Sequence, residues 1–237
     1  KGGTTSLYYS LIQHPQIIAG KTKETFYYGT TPHYEKGLGY YKQFFGTSLQ
    51  KSLKQISTGK TQLTIDGSTN TFDSIEAPKR ILKDNPNAKM IFIFRNPVER
   101  AYSHYKMARK LGWEFADFEK ALELEEKRIE DGKNHALHIP NHDFAYQLLG
   151  YKVRGLYAGK MKNWLKDFPN KNLLTLSSED FFSNPKAVFN SVCEFLEIET
   201  NANVKFEKQN EGAAEKMNPQ TQKYLQDYFK PHNEELF

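Results

Sequence analysis

Lys1-Gly-Gly-Thr-Thr-Ser6 runs directly into an apolar-periodic stretch. Two glycines let backbone N–H groups approach an anion closely. A helix start behind them adds about half a positive charge, and Thr4, Thr5 and Ser6 add hydroxyl donors. A lysine there meets the anion as a point charge. The chemistry this allows is phosphate binding, although Gly-Gly before a helix also makes an ordinary turn. Residue order narrows the choice. A Walker loop carries its lysine after the glycines, followed by a hydroxyl for magnesium. Here Lys1 precedes Gly2 and Gly3. A magnesium-nucleotide enzyme also wants an acidic residue ending an inner strand, and Met90–Phe94 ends in Arg95. Asp66, after Leu63–Ile65, keeps a kinase-like reading open.

A second anion site is readable in Arg95-Asn-Pro-Val-Glu-Arg-Ala-Tyr-Ser103. In an open α/β sheet, ligands bind beyond the carboxyl ends of strands, and Arg95 stands there. Ser103 follows about two helical turns later. An arginine and a hydroxyl suit a phosphate. The plainer alternatives are an Arg95–Glu99 pair across one turn and a Ser103 hydroxyl bonded into its own helix. His104 reads as a packing residue. His33, His135, His138 and His142 have no metal-ligand spacing. Cys193, the sole cysteine, lies on an apolar helix face and reads as a buried thiol; an intrachain disulfide is excluded.

The elements that must hold these residues alternate. Helices are expected over Ser6–Gln13, Tyr34–Phe45, Ala77–Lys83, Pro97–Leu111, Asp117–Ile129, Leu156–Phe168, Pro185–Leu196 and Thr221–Phe229. Strands are expected over Gln16–Ala19, Thr61–Asp66, Ala88–Phe94 and Asn172–Ser177, and Glu24–Tyr28 reads as extended. Ala88–Phe94 is apolar on both faces, as in a parallel sheet. Asn96 is a plausible N-cap with Pro97 in the first turn, and Gly112 ends that helix. This alternation predicts an α/β, three-layer, P-loop-like fold with a central parallel sheet flanked by helices. No internal domain boundary is evident, so residues 1–237 read as one domain, with a first strand expected before Lys1.

Composition sets the outer limits. The 237 residues are 38% hydrophobic, 26% charged and 14% aromatic, enough for a sizeable core. No apolar run approaches the roughly 18 residues of a membrane span. Lys+Arg total 33 against 28 Asp+Glu, a net +5. That excess allows an anionic ligand but does not point to nucleic acid.

Taken in order, these motifs resemble the sulfotransferases that use 3′-phosphoadenosine 5′-phosphosulfate (PAPS). In that family a lysine-containing loop holds the 5′-phosphosulfate, and Arg-Asn/Asp-Pro-x-x-Arg-x-x-Ser holds the 3′-phosphate. Lys1–Thr4 and Arg95–Ser103 match both halves. Lys23-Glu24-Thr-Phe-Tyr-Tyr28, with Tyr34-Glu-Lys-Gly-Leu-Gly-Tyr-Tyr41, is similar to the segment of the heparan sulfate 3-O-sulfotransferases and their relatives that carries the catalytic glutamate. Leu156–Phe168, Ser178–Asp180 and Pro231–Leu236 resemble the family's C-terminal half. The resemblance implies that Lys1 neutralises the bridge and sulfuryl oxygens, that Gly2 to Ser6 hold the 5′-phosphate, and that Glu24 is the general base. It implies that Arg95 and Ser103 hold the 3′-phosphate, with Tyr157 near the adenosine. Lys208, Gly212 and Lys216 fall in the loop that closes over the donor. PAPS is then the donor, adenosine 3′,5′-bisphosphate the product, and no metal is needed. Three departures stand out. The family's histidine after the glutamate is Phe26, its aspartate after the aromatic pair is Gly29, and its Glu-Lys-Ser/Thr-Pro is Asp66-Gly-Ser-Thr69. They point away from heparan itself, towards a hydroxyl of another carbohydrate or small polar acceptor.

Two other readings differ in class: a P-loop nucleotide or small-molecule kinase using ATP and magnesium, and an inactive polyanion-binding module. A cytoplasmic location is the simplest expectation; an anchor upstream of Lys1 would place the domain in the Golgi lumen instead.

Overall fold

The structure, a computed structural model, describes residues 2–46, 52, 55–56, 59–135, 144–200, 203–207 and 216–235. Its contacts divide the chain into two compact units. One comprises Gly3–Phe94 and Phe168–Gln209; the other comprises Lys1–Gly2, Arg95–Asp167 and Asn210–Phe237.

The first unit holds the strands. Helix α1 (Thr4–Leu11) leads to strand β1 (Ile17–Ala19), short helices α2 (Thr31–Tyr34) and α3 (Gly37–Lys42), strand β2 (Leu63–Ile65), helix α4 (Ala77–Asp84) and strand β3 (Met90–Phe94). After the intervening unit come strand β4 (Leu173–Ser177) and helices α9 (Ser178–Ser183) and α10 (Pro185–Leu196). Strand β1 pairs in parallel with β2, Ile17 opposite Leu63. Strand β3 pairs in parallel with β4, Met90 opposite Leu173 through Phe94 opposite Ser177. The expected α/β class with parallel strands is present; among the described residues the strands hydrogen-bond as two pairs. Both pairs feed one core, where Leu7 and Leu11 of α1 meet Ile17, Ile93, Phe181, Phe189, Val192 and Cys193. Adjacent residues of a strand face opposite ways, so burial of both Phe92 and Ile93 means β3 is covered on both faces. Cys193 is fully buried, and burial pushes its thiol up to about 11.

Two local expectations are corrected here. The helix expected over Tyr34–Phe45 is confined to Gly37–Lys42: α2 ends at Tyr34, and α3 starts at Gly37, which takes φ +81°. Its aromatic face still packs: Tyr41 lies 4.8 Å from Tyr27 and 5.1 Å from Phe45 between ring centres. Glu24–Tyr28, expected to be extended, leaves that conformation at Phe26 and enters a turn at Tyr27. Its amides bond to side chains of a neighbouring loop, and Phe26 adopts φ +55°.

The second unit is helical among the described residues. It contains α5 (Pro97–Lys110), α6 (Phe118–His135), α7 (Phe144–Leu149), α8 (Tyr157–Asp167) and α11 (Pro219–Glu234). The Asn96 side chain caps α5, accepting from Val98 N–H at 3.0 Å and Glu99 N–H at 3.4 Å. Gly112 ends it at φ +72°. Val98, Ala101, Ala108, Phe118, Leu122, Tyr151, Leu225 and Phe229 form the core.

One buried carboxylate fixes the α5–α6 connection. Glu114, its side chain 1% exposed, pairs with Arg128 at 2.6 Å. It also accepts from the Tyr151 hydroxyl at 2.9 Å and from the N–H groups of Phe115 and Ala116 at 3.0 and 2.9 Å. Burial raises its pKa, but Arg128, the Ala116 amide and Tyr151 outweigh burial and hold it below its usual 4.5. A carboxyl depressed in the folded state adds stability above its unfolded pKa and loses it as pH falls through the folded value. Glu114→Gln should therefore flatten the fall of the urea midpoint below pH 4.5, relative to the parent protein.

Candidate active site

Gly3 begins α1 in a left-handed conformation, φ +88°. The backbone angle favours glycine, and a Cβ there would press on Ile93 Cδ1 and the Phe182 ring, both at 3.3 Å. The first intrahelical bond runs from Leu7 N–H to the Gly3 carbonyl, 3.0 Å. No side chain caps this helix start, and no acidic residue lies in its first turn. Amides ahead of the first bond have no intrahelical acceptor, which makes the end of the helix attractive to an anion. Thr4 and Thr5 are half-buried and Ser6 is buried. Gly2 precedes this turn. Lys1 lies outside the described residues.

Glu24 stands in a segment organised by Asp66. The Asp66 Oδ2 accepts the Thr25 hydroxyl at 2.6 Å; its Oδ1 accepts Ser68 N–H at 3.0 Å and the Ser68 hydroxyl at 2.5 Å. Ser68 Oγ in turn accepts the N–H groups of Thr25 and Phe26, both at 2.9 Å. The Phe26 carbonyl accepts the Thr30 hydroxyl. Tyr41 also bonds Asp66, and burial first, then this carboxylate, pushes its phenol pKa up. Held from both sides, Phe26 keeps a backbone angle that a bulky residue reaches only with strain, about 1–3 kcal/mol. Its ring is left 38% exposed, two residues from Glu24.

Lys23 and Glu24 form a close pair, Nζ to Oε1 2.5 Å, with side chains only 16% and 24% exposed. Lys23 Nζ also donates to the Gly67 carbonyl at 3.2 Å. A Cβ on Gly67 would meet Lys23 Cγ at 3.0 Å and Tyr8 Cδ2 of α1 at 3.1 Å. A side chain at the position where the family pattern carries a lysine would thus crowd Lys23 and Tyr8, and the ammonium in this corner comes from Lys23. The same contact ties the Glu24 segment to α1.

In the helical unit, Arg95 immediately precedes the Asn96 cap. Its guanidinium lies 3.5 Å from Glu99, both partly exposed, and its carbonyl accepts the Tyr157 hydroxyl at 3.1 Å. Ser103 is half-buried midway along α5. Next to it, the Tyr102 hydroxyl donates to the Lys216 carbonyl at 3.4 Å, bringing the exposed Lys216 beside α5. Lys208 and Gly212 lie outside the described residues, as do His138 and His142.

The family profile described as "Sulfotransferase domain" matches residues 1–233. The chain belongs to the sulfotransferase family. It is 31% identical over 202 residues to the human bifunctional heparan sulfate N-deacetylase/N-sulfotransferase 3, covering 84% of this chain and 21% of that protein. To the mouse N-deacetylase/N-sulfotransferase 4 it is 29% identical over 269 residues, covering 100% and 28%. The chain therefore spans between about a fifth and somewhat over a quarter of the length of these curated relatives. A solved sulfotransferase from Alicyclobacillus acidocaldarius superposes with a TM-score of 0.74 at 24% identity, covering 100% of this chain and 90% of that one. The shared fold is the α/β, P-loop-like one expected from the strand–helix alternation. Among the described residues, no helix of this sulfotransferase is long and apolar enough to cross a membrane.

Among the candidate residues, Gly3 to Ser6 and Glu24 belong to elements of the strand unit that meet through Tyr8, Gly67 and Lys23. Arg95, Ser103, Tyr157 and Lys216 gather around α5 in the helical unit. Lys23 and Ser68 are the polar residues that motif spacing alone passes over. Their signal was the glycine at 67, which marks a close approach. Asp66 holds its own loop: its oxygens are taken up by Thr25, Ser68 and Tyr41 rather than turned towards a magnesium ion. Asp66→Ala should destabilise the protein by about 1.5–3 kcal/mol, the value of hydrogen bonds to a charge. Hydrogen exchange should show the Thr25 and Phe26 amides losing protection before the β3–β4 pair does.

Proposed function

We propose that this sulfotransferase moves the sulfuryl group of PAPS to a carbohydrate, at a hydroxyl or amino group of the sugar. One observation carries the reading: an uncapped helix start that takes glycine at Gly3 lies on the same helix whose Tyr8 closes on Gly67, the residue that Lys23 of the Lys23–Glu24 pair also closes on. An anion cradle and a carboxylate base are then parts of one packed corner. The names of the curated relatives support a carbohydrate acceptor, and their N-sulfotransferase titles make an amino group as natural a target as a hydroxyl.

The residues suit the donor's charges. Amides of Gly3 to Ser6 would hold the 5′-phosphate, with Lys1 beside the bridge oxygen. Arg95 and Ser103 would hold the 3′-phosphate, Tyr157 would set Arg95, and Lys208, Gly212 and Lys216 would belong to a covering loop. When bound, PAPS supplies a sulfuryl group for in-line displacement, and adenosine 3′,5′-bisphosphate leaves. Glu24 takes the proton of the acceptor group, and Lys23 holds the carboxylate in place for it. Lys1 and Arg95 would neutralise the charge, and electrostatic stabilisation of this kind is the main source of rate in such transfers. A kinase reading would need Asp66 on magnesium, and its oxygens are committed elsewhere.

Calorimetry with adenosine 3′,5′-bisphosphate and with ATP–magnesium separates the readings. Binding of the bisphosphate is expected, and tight ATP–magnesium binding without it would sink the proposal. A labelled-donor screen over sugars with free hydroxyl or amino groups then finds the acceptor. Glu24→Gln should keep bisphosphate affinity and lose turnover by about 10² or more, as for a positioned base. Arg95→Ala should weaken the bisphosphate by roughly 2–5 kcal/mol, the cost of truncating one partner of a charge pair that the bound donor would bury.

A further inference from the structure

Glu125 is a carboxylate that the proposed chemistry does not use, yet it is 1% exposed. It projects from α6 onto the turn before α8. Lys152 N–H donates to both its oxygens, at 3.0 and 2.8 Å, and Val153 N–H donates at 2.9 Å. The carbonyls just upstream are taken by another buried side chain. Arg100 of α5 donates from Nη2 to the Gly150 carbonyl at 3.2 Å and the Tyr151 carbonyl at 2.5 Å. Four consecutive residues of an irregular segment are thus gripped by one anion on their N–H groups and one cation on their carbonyls.

What this grip delivers lies a few residues on. Gly155 is pressed against the start of α5; a Cβ there would meet Pro97 Cβ at 3.1 Å and the Phe229 ring at 2.9 Å. Tyr157 then donates its hydroxyl to the Arg95 carbonyl at 3.1 Å. The gripped turn therefore touches the Arg95-Asn-Pro97 corner at two points.

We infer that Glu125, through the turn 152–157 and the Tyr157 hydroxyl, is a positioning residue for Arg95 and so for the 3′-phosphate of the donor. Buried side-chain charges with backbone partners on both sides leave the turn one geometry, and Arg95 inherits it. The inference rests on the proposed donor, and the test separates the two. Calorimetry would measure adenosine 3′,5′-bisphosphate and adenosine 5′-phosphate against the parent protein, Glu125→Gln and Tyr157→Phe. In the parent the bisphosphate should bind more tightly. In both variants that preference should shrink about tenfold, the effect of losing one hydrogen bond at a charged site, and in Glu125→Gln the 5′-phosphate affinity should stay unchanged. A merely structural Glu125 would weaken both nucleotides alike or only lower the melting temperature, and either result overturns the inference. So does an unchanged preference in Tyr157→Phe, which removes a single oxygen and decides the matter if Glu125→Gln does not fold. A parent protein without any preference for the 3′-phosphate would instead defeat the donor assignment, and this inference with it.

Discussion

Taking a carboxylate out of water is expensive unless donors replace the water. An irregular loop has the opposite problem, since its N–H groups have no ladder or helix to join. The structure sets these two liabilities against each other. Asp66, directly and through Ser68, binds the Thr25–Phe26 turn; Glu114 binds the Phe115–Ala116 turn; Glu125 binds the Lys152–Val153 turn. Asp66 and Glu114 sit where regular structure stops and Glu125 reaches out from within α6, and each fixes the path of an irregular turn. Without them the strands and helices would still have cores, but the segments bearing Glu24 and preceding Tyr157 would have no set path.

The two units use this device alike while their cores differ. In the strand unit, parallel pairing of β3 with β4 brings Ile93 beneath Gly3, so the turn that begins α1 is shaped by the apolar layer below it. In the helical unit the small residues Ala101, Ala108 and Ala121 let helices approach closely around Tyr151 and Phe229. Candidate chemistry in both therefore rests on backbone held by packing rather than on long side chains alone.

Much of the fold was legible because it rests on local signals. Pro97 and Asn96 announced α5, and the helix begins there with Asn96 as its cap. The apolar run ending at Phe94 announced a parallel strand. The alternating apolar face around Phe189 and Val192 announced α10. What escaped notice depends on distant partners. Glu24–Tyr28 reads as extended because nothing nearby in sequence competes for its amides; Ser68, more than forty residues away, takes two of them. Tyr34–Phe45 reads as one helix because its aromatic spacing is right, and α3 starts only at Gly37 without disturbing that face. Among candidate site residues, Arg95 and Glu24 were legible as motifs. Lys23 was not, because a Lys-Glu neighbour pair looks solvated until Gly67 is seen to leave it space.

The single cysteine has a practical side. Cys193 is fully buried, and burial pushes its thiol up to about 11, so at neutral pH almost no thiolate is exposed to react. The parent protein is consequently close to silent towards thiol-directed reagents without any background mutation. A cysteine introduced at a chosen surface position becomes the one addressable handle for a fluorophore, a spin label or an electrophilic acceptor mimic.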